Sequence, residues 1–204
     1  FLPDAIINSK KIIISRKNSK LDIENDNKKK IILSVGRLTK QKNFSYLIDE
    51  FEKFAQENDK YILYLIGEGE QRNRLEAKIK EKSLQDKIFL LGFKKNVFSY
   101  MKKSTIFVLS SLWEEVGFVM VEAAMNNSYL ICSNCPNGPS EFLNEGKSGI
   151  LFSSNAKNEL YKSFLKYDQF DDKKIYDDKI MLKKNALAYT KFRHFLKIEK
   201  ILNK

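Results

Sequence analysis

Several things are scarce in this sequence, and each scarcity excludes a class of protein. Two cysteines in 204 residues make no disulfide framework and favour a reducing compartment. A lone histidine, His194, gives no His-rich metal cluster, and no convincing D-x-D carboxylate pair offers a metal another seat. No apolar stretch approaches the roughly 18–20 residues of a membrane-spanning helix. The longest, 61–66 and 116–125, are core-sized, and Glu122 interrupts the second. The opening, FLPDAIINSKK, starts with Phe and lacks the n-region and continuous h-region of a signal peptide. It reads as the cut edge of a longer protein, near a domain boundary. With 43% hydrophobic and 12% aromatic residues, composition excludes disorder, a collagen repeat and a low-complexity tail. What is left is one globular domain with a sizeable core.

Charge of one sign dominates. The 37 Lys and Arg against 26 Asp and Glu give a formal charge of +11, a surplus that suits an anionic partner. Residues 157–204 carry 12 Lys and 1 Arg against 7 acids, a net of +6. Lys far outnumbers Arg, the better reader of bases and phosphates. The surplus therefore reads first as a solvated lysine-rich surface. A weak attraction to an anionic membrane surface or to nucleic acid is the second reading.

Residues 15–30 are polar, charged and aperiodic, as a linker would be. From 31 onward short apolar runs alternate with helical patterns. Strands are expected at 31–35, 61–66, 88–91, 105–109, 129–132 and 150–152, the first three closed by Gly36, Gly67 and Gly92. Helices are expected at 44–54, 75–84, 97–101, 118–125, 140–143 and 159–167. Such spacing specifies right-handed βαβ crossovers, hence an α/β, Rossmann-like, doubly wound parallel sheet of about six strands. The organisation is a linker at 1–30, a domain at 31–168 and a helical tail at 169–204. Ligands in these folds bind beyond the carboxyl ends of the strands, so the loops there are where chemistry is sought.

After the first strand, Arg37 and Lys42 stand five apart around the start of a helix. A helix N-terminus favours anions, and the two cations beside it make a phosphate clamp or, equally, ordinary loop cations. Gly67-Glu68-Gly69 begins like a dinucleotide fingerprint, but Arg72 occupies the third glycine position. That argues against a nicotinamide or flavin enzyme and leaves a glycine turn that admits a ligand. After the fourth strand, Glu114 and Glu122 stand eight apart with Gly117 and Phe118 between them. Glu68 and Glu76 share that spacing and are given no role; context separates the pairs. Glu122 sits among apolar residues and needs a donor partner, for which a diol is suited. The N–H groups near Phe118 and Val119 then face its phosphate. The Cys132-x-x-Cys135 pair reads as incidental and His194 as solvated.

These residues, in this order, resemble the C-terminal, donor-binding half of retaining glycosyltransferases of the GT-B architecture, family 4. Gly36 to Lys42 is similar to that family's G-R-L-x-x-Q-K loop. Glu114 to Glu122 is similar to its E-x7-E element with an internal G-F, and Gly138-Pro139-Ser140-Glu141 to its later G-x-x-E loop. The resemblance covers about residues 31–167. It implies that Arg37 and Lys42 bind the donor pyrophosphate and that Glu122 holds the ribose hydroxyls. Glu114, with the backbone of Gly117, Phe118 and Val119, would hold the donor sugar, and Gly92, Phe93 and Lys94 would lie against the base. The binding set includes Gly36 and Gly67, and the groups at the chemistry are Arg37, Lys42 and Glu114.

The implied activity is transfer, with retained configuration, of a sugar from a nucleotide-sugar donor, expected to be a UDP-sugar, to a polysaccharide or lipid-linked saccharide. Cations stabilise the departing diphosphate, so no metal or other cofactor is expected. The acceptor would be held by an N-terminal domain outside this chain, which alone would then be inactive. The protein would be cytoplasmic, with peripheral contact at the inner membrane face, and would not bind nucleic acid. Asn127 and Tyr129 depart from the Gly and Pro usual in the family. Two readings compete: a nucleotide-sugar epimerase of similar fold, and a basic nucleic-acid-binding module.

Overall fold

The structure, a computed structural model, describes residues 29–203; the expected linker lies almost wholly outside them. Six parallel strands form one sheet: β1 (Lys30–Val35), β2 (Tyr61–Ile66), β3 (Ile88–Leu90), β4 (Ile106–Leu109), β5 (Tyr129–Ser133) and β6 (Ile150–Phe152). Their order is β3-β2-β1-β4-β5-β6, so the winding reverses between β1 and β4. The loops after those two strands lead to helices on opposite faces of the sheet, and the switch point between them is where ligands bind in such folds.

The described residues form eight α-helices, α1 (Phe44–Glu57), α2 (Arg72–Glu81), α3 (Val97–Lys103), α4 (Phe118–Met125), α5 (Pro139–Phe142), α6 (Glu159–Asp168), α7 (Asp172–Leu187) and α8 (Lys191–Leu202), of which all but α8 bury residues. Strand side chains alternate faces. Ile32, Leu63, Leu65, Ile106 and Val108 pack under α1, α2 and α6. Ile31, Leu33, Ile62, Tyr64 and Phe107 pack under α3, α4 and α7. With both faces covered, β2 (YILYLI) is buried throughout, as a parallel strand must be. Between the helices, Glu50 of α1, 2% exposed, accepts from the backbone N–H of Asn158 and Tyr161, each at 3.2 Å, and from Lys53. A carboxylate from one helix thus satisfies the N-terminus of α6.

Two expectations change. The helix expected at 75–84 begins at Arg72 and stops at Glu81. Ser83 takes a left-handed φ of 55°, and Leu84 and Ser83 donate back to the carbonyls of Ile79 and Lys80 at 3.0 Å each, a Schellman stop without its usual glycine. The helical tail set apart at 169–204 is docked onto the domain as far as Thr190. Asp171 caps α7 by accepting from Lys174 N at 2.7 Å. Leu182 and Ala186 are buried against the second core, and Asp178 accepts from Tyr129 Oη at 2.8 Å and Lys174 Nζ at 2.6 Å. Only α8 buries no residue, and it leaves Phe192, Phe195, Ile201 and Leu202 exposed.

Candidate functional site

The switch point between β1 and β4 is built from the two loops that follow those strands. Their backbones are tied together: Leu112 N donates to Gln41 O at 2.8 Å, Ser110 Oγ to Lys42 O at 2.8 Å, and Gln41 Nε2 to Trp113 O at 2.9 Å. The Lys42 stem lies across Gly36, where a Cβ would stand 3.2 Å from Lys42 Cε. Its Nζ then meets Glu114 Oε1 at 2.6 Å. Glu114 is 6% exposed and also accepts from Ser111 Oγ on the same oxygen. Lys42 is therefore not a free cation of the loop. It bridges the two loops and keeps two further N–H donors for an anion.

Arg37, by contrast, is exposed and forms no ion pair among the described residues. α4 opens four residues after Glu114, at Phe118. Gly117, with φ 71°, precedes its first turn, and no side chain caps it, so the N–H groups of Phe118 and Val119 remain for a ligand. One turn on, Glu122 is partly buried. No side-chain donor among the described residues reaches its carboxylate, and burial alone pushes its pKa above the usual carboxylate range. The pair dismissed on context behaves differently: Glu68 and Glu76 both bind Arg72, at 2.7 and 2.9 Å.

The third wall comes from the loops after β2 and β3. Gly67 N donates to Gly92 O at 3.0 Å. A Cβ on Gly67 would fall 1.9 Å from Gly36 O, so its glycine lets two loops touch and does not leave open room for a ligand. Phe93 stands 77% exposed at this edge, while Lys94 beside it is partly buried. Gly138 approaches the loop before α4, its would-be Cβ 2.4 Å from Val116 O, while Glu141 is exposed.

Both departures from the family pattern have structural accounts. Asn127 takes φ 73°, the left-handed conformation glycine would supply and one that Asn tolerates. Tyr129 N donates to Thr105 O at 3.2 Å, a bond that proline cannot make, and its hydroxyl reaches α7. The cysteines are free and buried, and burial pushes both thiols up. His194 is partly buried, not fully solvated. No group of three His, Cys, Asp or Glu suited to a metal occurs among the described residues. Sequence reasoning missed Ser111. A small polar residue three before Glu114, at the end of a buried run, was the available signal.

A six-stranded, doubly wound parallel sheet of this order defines a class, the Rossmann-like fold of GT-B glycosyltransferases. The match is specific: residues 15–175 fit the family model "Glycosyl transferases group 1", and the chain belongs to that family. It is 33% identical over 174 residues to the N-acetylgalactosamine-N,N'-diacetylbacillosaminyl-diphospho-undecaprenol 4-alpha-N-acetylgalactosaminyltransferase of Campylobacter jejuni, covering 79% of this chain and 47% of that protein. It is 37% identical over 113 residues to an uncharacterized glycosyltransferase of Methanocaldococcus jannaschii, covering 55% of this chain and 28% of that one. Among solved structures, Anabaena HepE in complex with UDP superposes with a TM-score of 0.77 at 17% identity, over 97% of this chain and 53% of that one. The chain thus spans half or less of the length of these curated relatives.

Proposed function

We propose that this chain is the nucleotide-sugar-binding domain of a retaining GT-B glycosyltransferase of family 4, with a UDP-sugar as donor. The observation that carries the reading is what the loops after β1 and β4 leave available among the described residues: an exposed Arg37 without an ion pair, a Glu122 without a side-chain donor and an uncapped α4. A nucleoside diphosphate meets each of them. Its pyrophosphate takes Arg37, the spare Lys42 protons and the α4 N–H groups. Its ribose diol donates to Glu122, its base lies along Phe93, and the sugar hydroxyls face Glu114. Charge growing on the departing diphosphate is stabilised by these cations, so the domain supplies this step without a metal.

The C. jejuni relative is named for a diphospho-undecaprenol acceptor, and HepE was solved with UDP. The first name supports a lipid-linked acceptor and the second a UDP-sugar donor. In this reading a second domain holds the acceptor, and the protein is cytoplasmic and peripheral at the inner membrane face. No helix among the described residues is long and apolar enough to cross a membrane. The basic, uncovered α8 suits weak contact with an anionic surface. Thermal-shift measurements against UDP-, GDP- and ADP-sugars test the reading. A rise in Tm with one nucleotide class is expected, and no rise with any of them rejects it.

A further inference from the structure

Glu114 is oriented by the protein before any ligand arrives. Both hydrogen bonds it receives, from Lys42 Nζ at 2.6 Å and from Ser111 Oγ, end on Oε1. No side-chain donor among the described residues reaches Oε2. Ser111 is 1% exposed, and its own carbonyl accepts from Ser133 Oγ at 2.6 Å and Ser154 Oγ at 3.3 Å. The ends of β5 and β6 therefore pin the backbone of Ser111, and Ser111 pins the carboxylate. A carboxylate bonded through both oxygens has little left to offer, whereas one fixed through Oε1 presents Oε2 in a set direction.

Lys42 cannot do this alone. Its ammonium is a point charge on a flexible stem, and an arriving diphosphate competes for it. The Ser111 hydroxyl is buried behind Glu114 and has no such competitor.

We infer that Ser111 is a positioning residue that holds Glu114 Oε1 so that Oε2 accepts a hydroxyl of the donor sugar. The inference rests on the reading above, in which Glu114 faces that sugar. The test is calorimetry on this chain with UDP, GDP and ADP and with their hexose and N-acetylhexosamine conjugates. It reads the ratio of the Kd for the free nucleotide to the Kd for its sugar conjugate. Wild type should bind one conjugate several-fold more tightly than the free nucleotide.

Ser111→Ala should keep the free-nucleotide Kd within twofold, which also shows that the variant folds, while its ratio falls to within twofold of one. In a Glu114→Gln background, adding Ser111→Ala should change the ratio less than twofold, because the two residues act as one unit. A Ser111→Ala ratio equal to wild type, or an equal drop in both backgrounds, overturns the inference and leaves the donor site standing. Free nucleotide bound by wild type with no conjugate preferred removes Glu114 from the sugar, and the inference goes with it.

Discussion

Glu114 and Glu122 stand eight residues apart in one loop and helix, yet the protein treats them in opposite ways. Glu114 is buried and satisfied, its Oε1 shared by Lys42 and Ser111. Glu122 is partly buried, receives no side-chain hydrogen bond among the described residues, and desolvation alone raises its pKa. The first is part of the protein's own framework, tying the β4 loop to the β1 loop. The second ties no elements together, and a raised carboxyl pKa at a strand-end loop is what a ligand-facing group would show.

The largest effect should come from breaking the satisfied side. Lys42→Ala leaves a 6% exposed carboxylate without its cation, which should lower stability by about 3 kcal/mol, at the low end for one member of a buried pair. Urea unfolding measures it, and Glu114→Gln in the same background should recover part of the loss. An unchanged midpoint would mean that the Lys42–Glu114 pair adds nothing to the stability of the folded protein.

Arg37 offers the opposite result. It is exposed and unpaired, so Arg37→Ala should leave stability within about 0.5 kcal/mol. It should weaken UDP binding by about 1.5–3 kcal/mol, the scale of a charged hydrogen bond. Equal calorimetric affinities for wild type and variant would take the pyrophosphate away from Arg37.

A smaller pair of effects sharpens the contrast at Glu122. Glu122→Gln should cost UDP about 1 kcal/mol more than it costs 2′,3′-dideoxy-UDP, because a charged acceptor becomes a neutral one. Without ligand the sign reverses. A carboxyl whose pKa is raised on folding binds more protons folded than unfolded, so its stability is present at low pH. That stability is lost as pH rises from the ordinary carboxyl value through the raised one. Above that window the Gln variant should therefore be the more stable protein in ligand-free melts, with the gap closing in acid. The smallest change is Asn127→Gly just beyond α4, which keeps φ 73° accessible and should move the melting free energy by less than about 1 kcal/mol.

Much of the frame is legible in the sequence because each early strand is a short apolar run stopped by a glycine, and each major helix carries a stripe like that of Phe44, Leu47, Ile48 and Phe51. The end of α2 is not legible, since a serine takes the left-handed place usually given to glycine. α7 hides for a different reason. Its buried set is small, and its anchor, Asp178, lies in a lysine-rich helix whose partner Tyr129 is 49 residues away.

At the site, Arg37, Lys42, Glu114 and Glu122 are proposed from their position in the loops and helix that follow β1 and β4. The Lys42–Glu114 pairing spans 72 residues in a chain crowded with lysines, so no local pattern reveals it. Ser111 is equally silent, because a serine at a strand end is ordinary until its hydroxyl is seen to have one destination.

The strand order also sets a schedule for synthesis. β1 pairs with β2 from Lys30↔Tyr61 onward, but its other edge waits for β4, where Ile32 meets Ile106. While the ribosome translates the intervening segment, the future centre of the sheet is an apolar edge open to any neighbouring nascent chain. A chain stopped at Lys103, with β1 to β3 complete and β4 absent, should therefore sediment when translated in vitro. Extending it through Leu109 supplies the missing edge and should reduce the pelleted fraction. Equal pelleting of the two would show that the exposed strand is shielded in some other way on its way out of the tunnel.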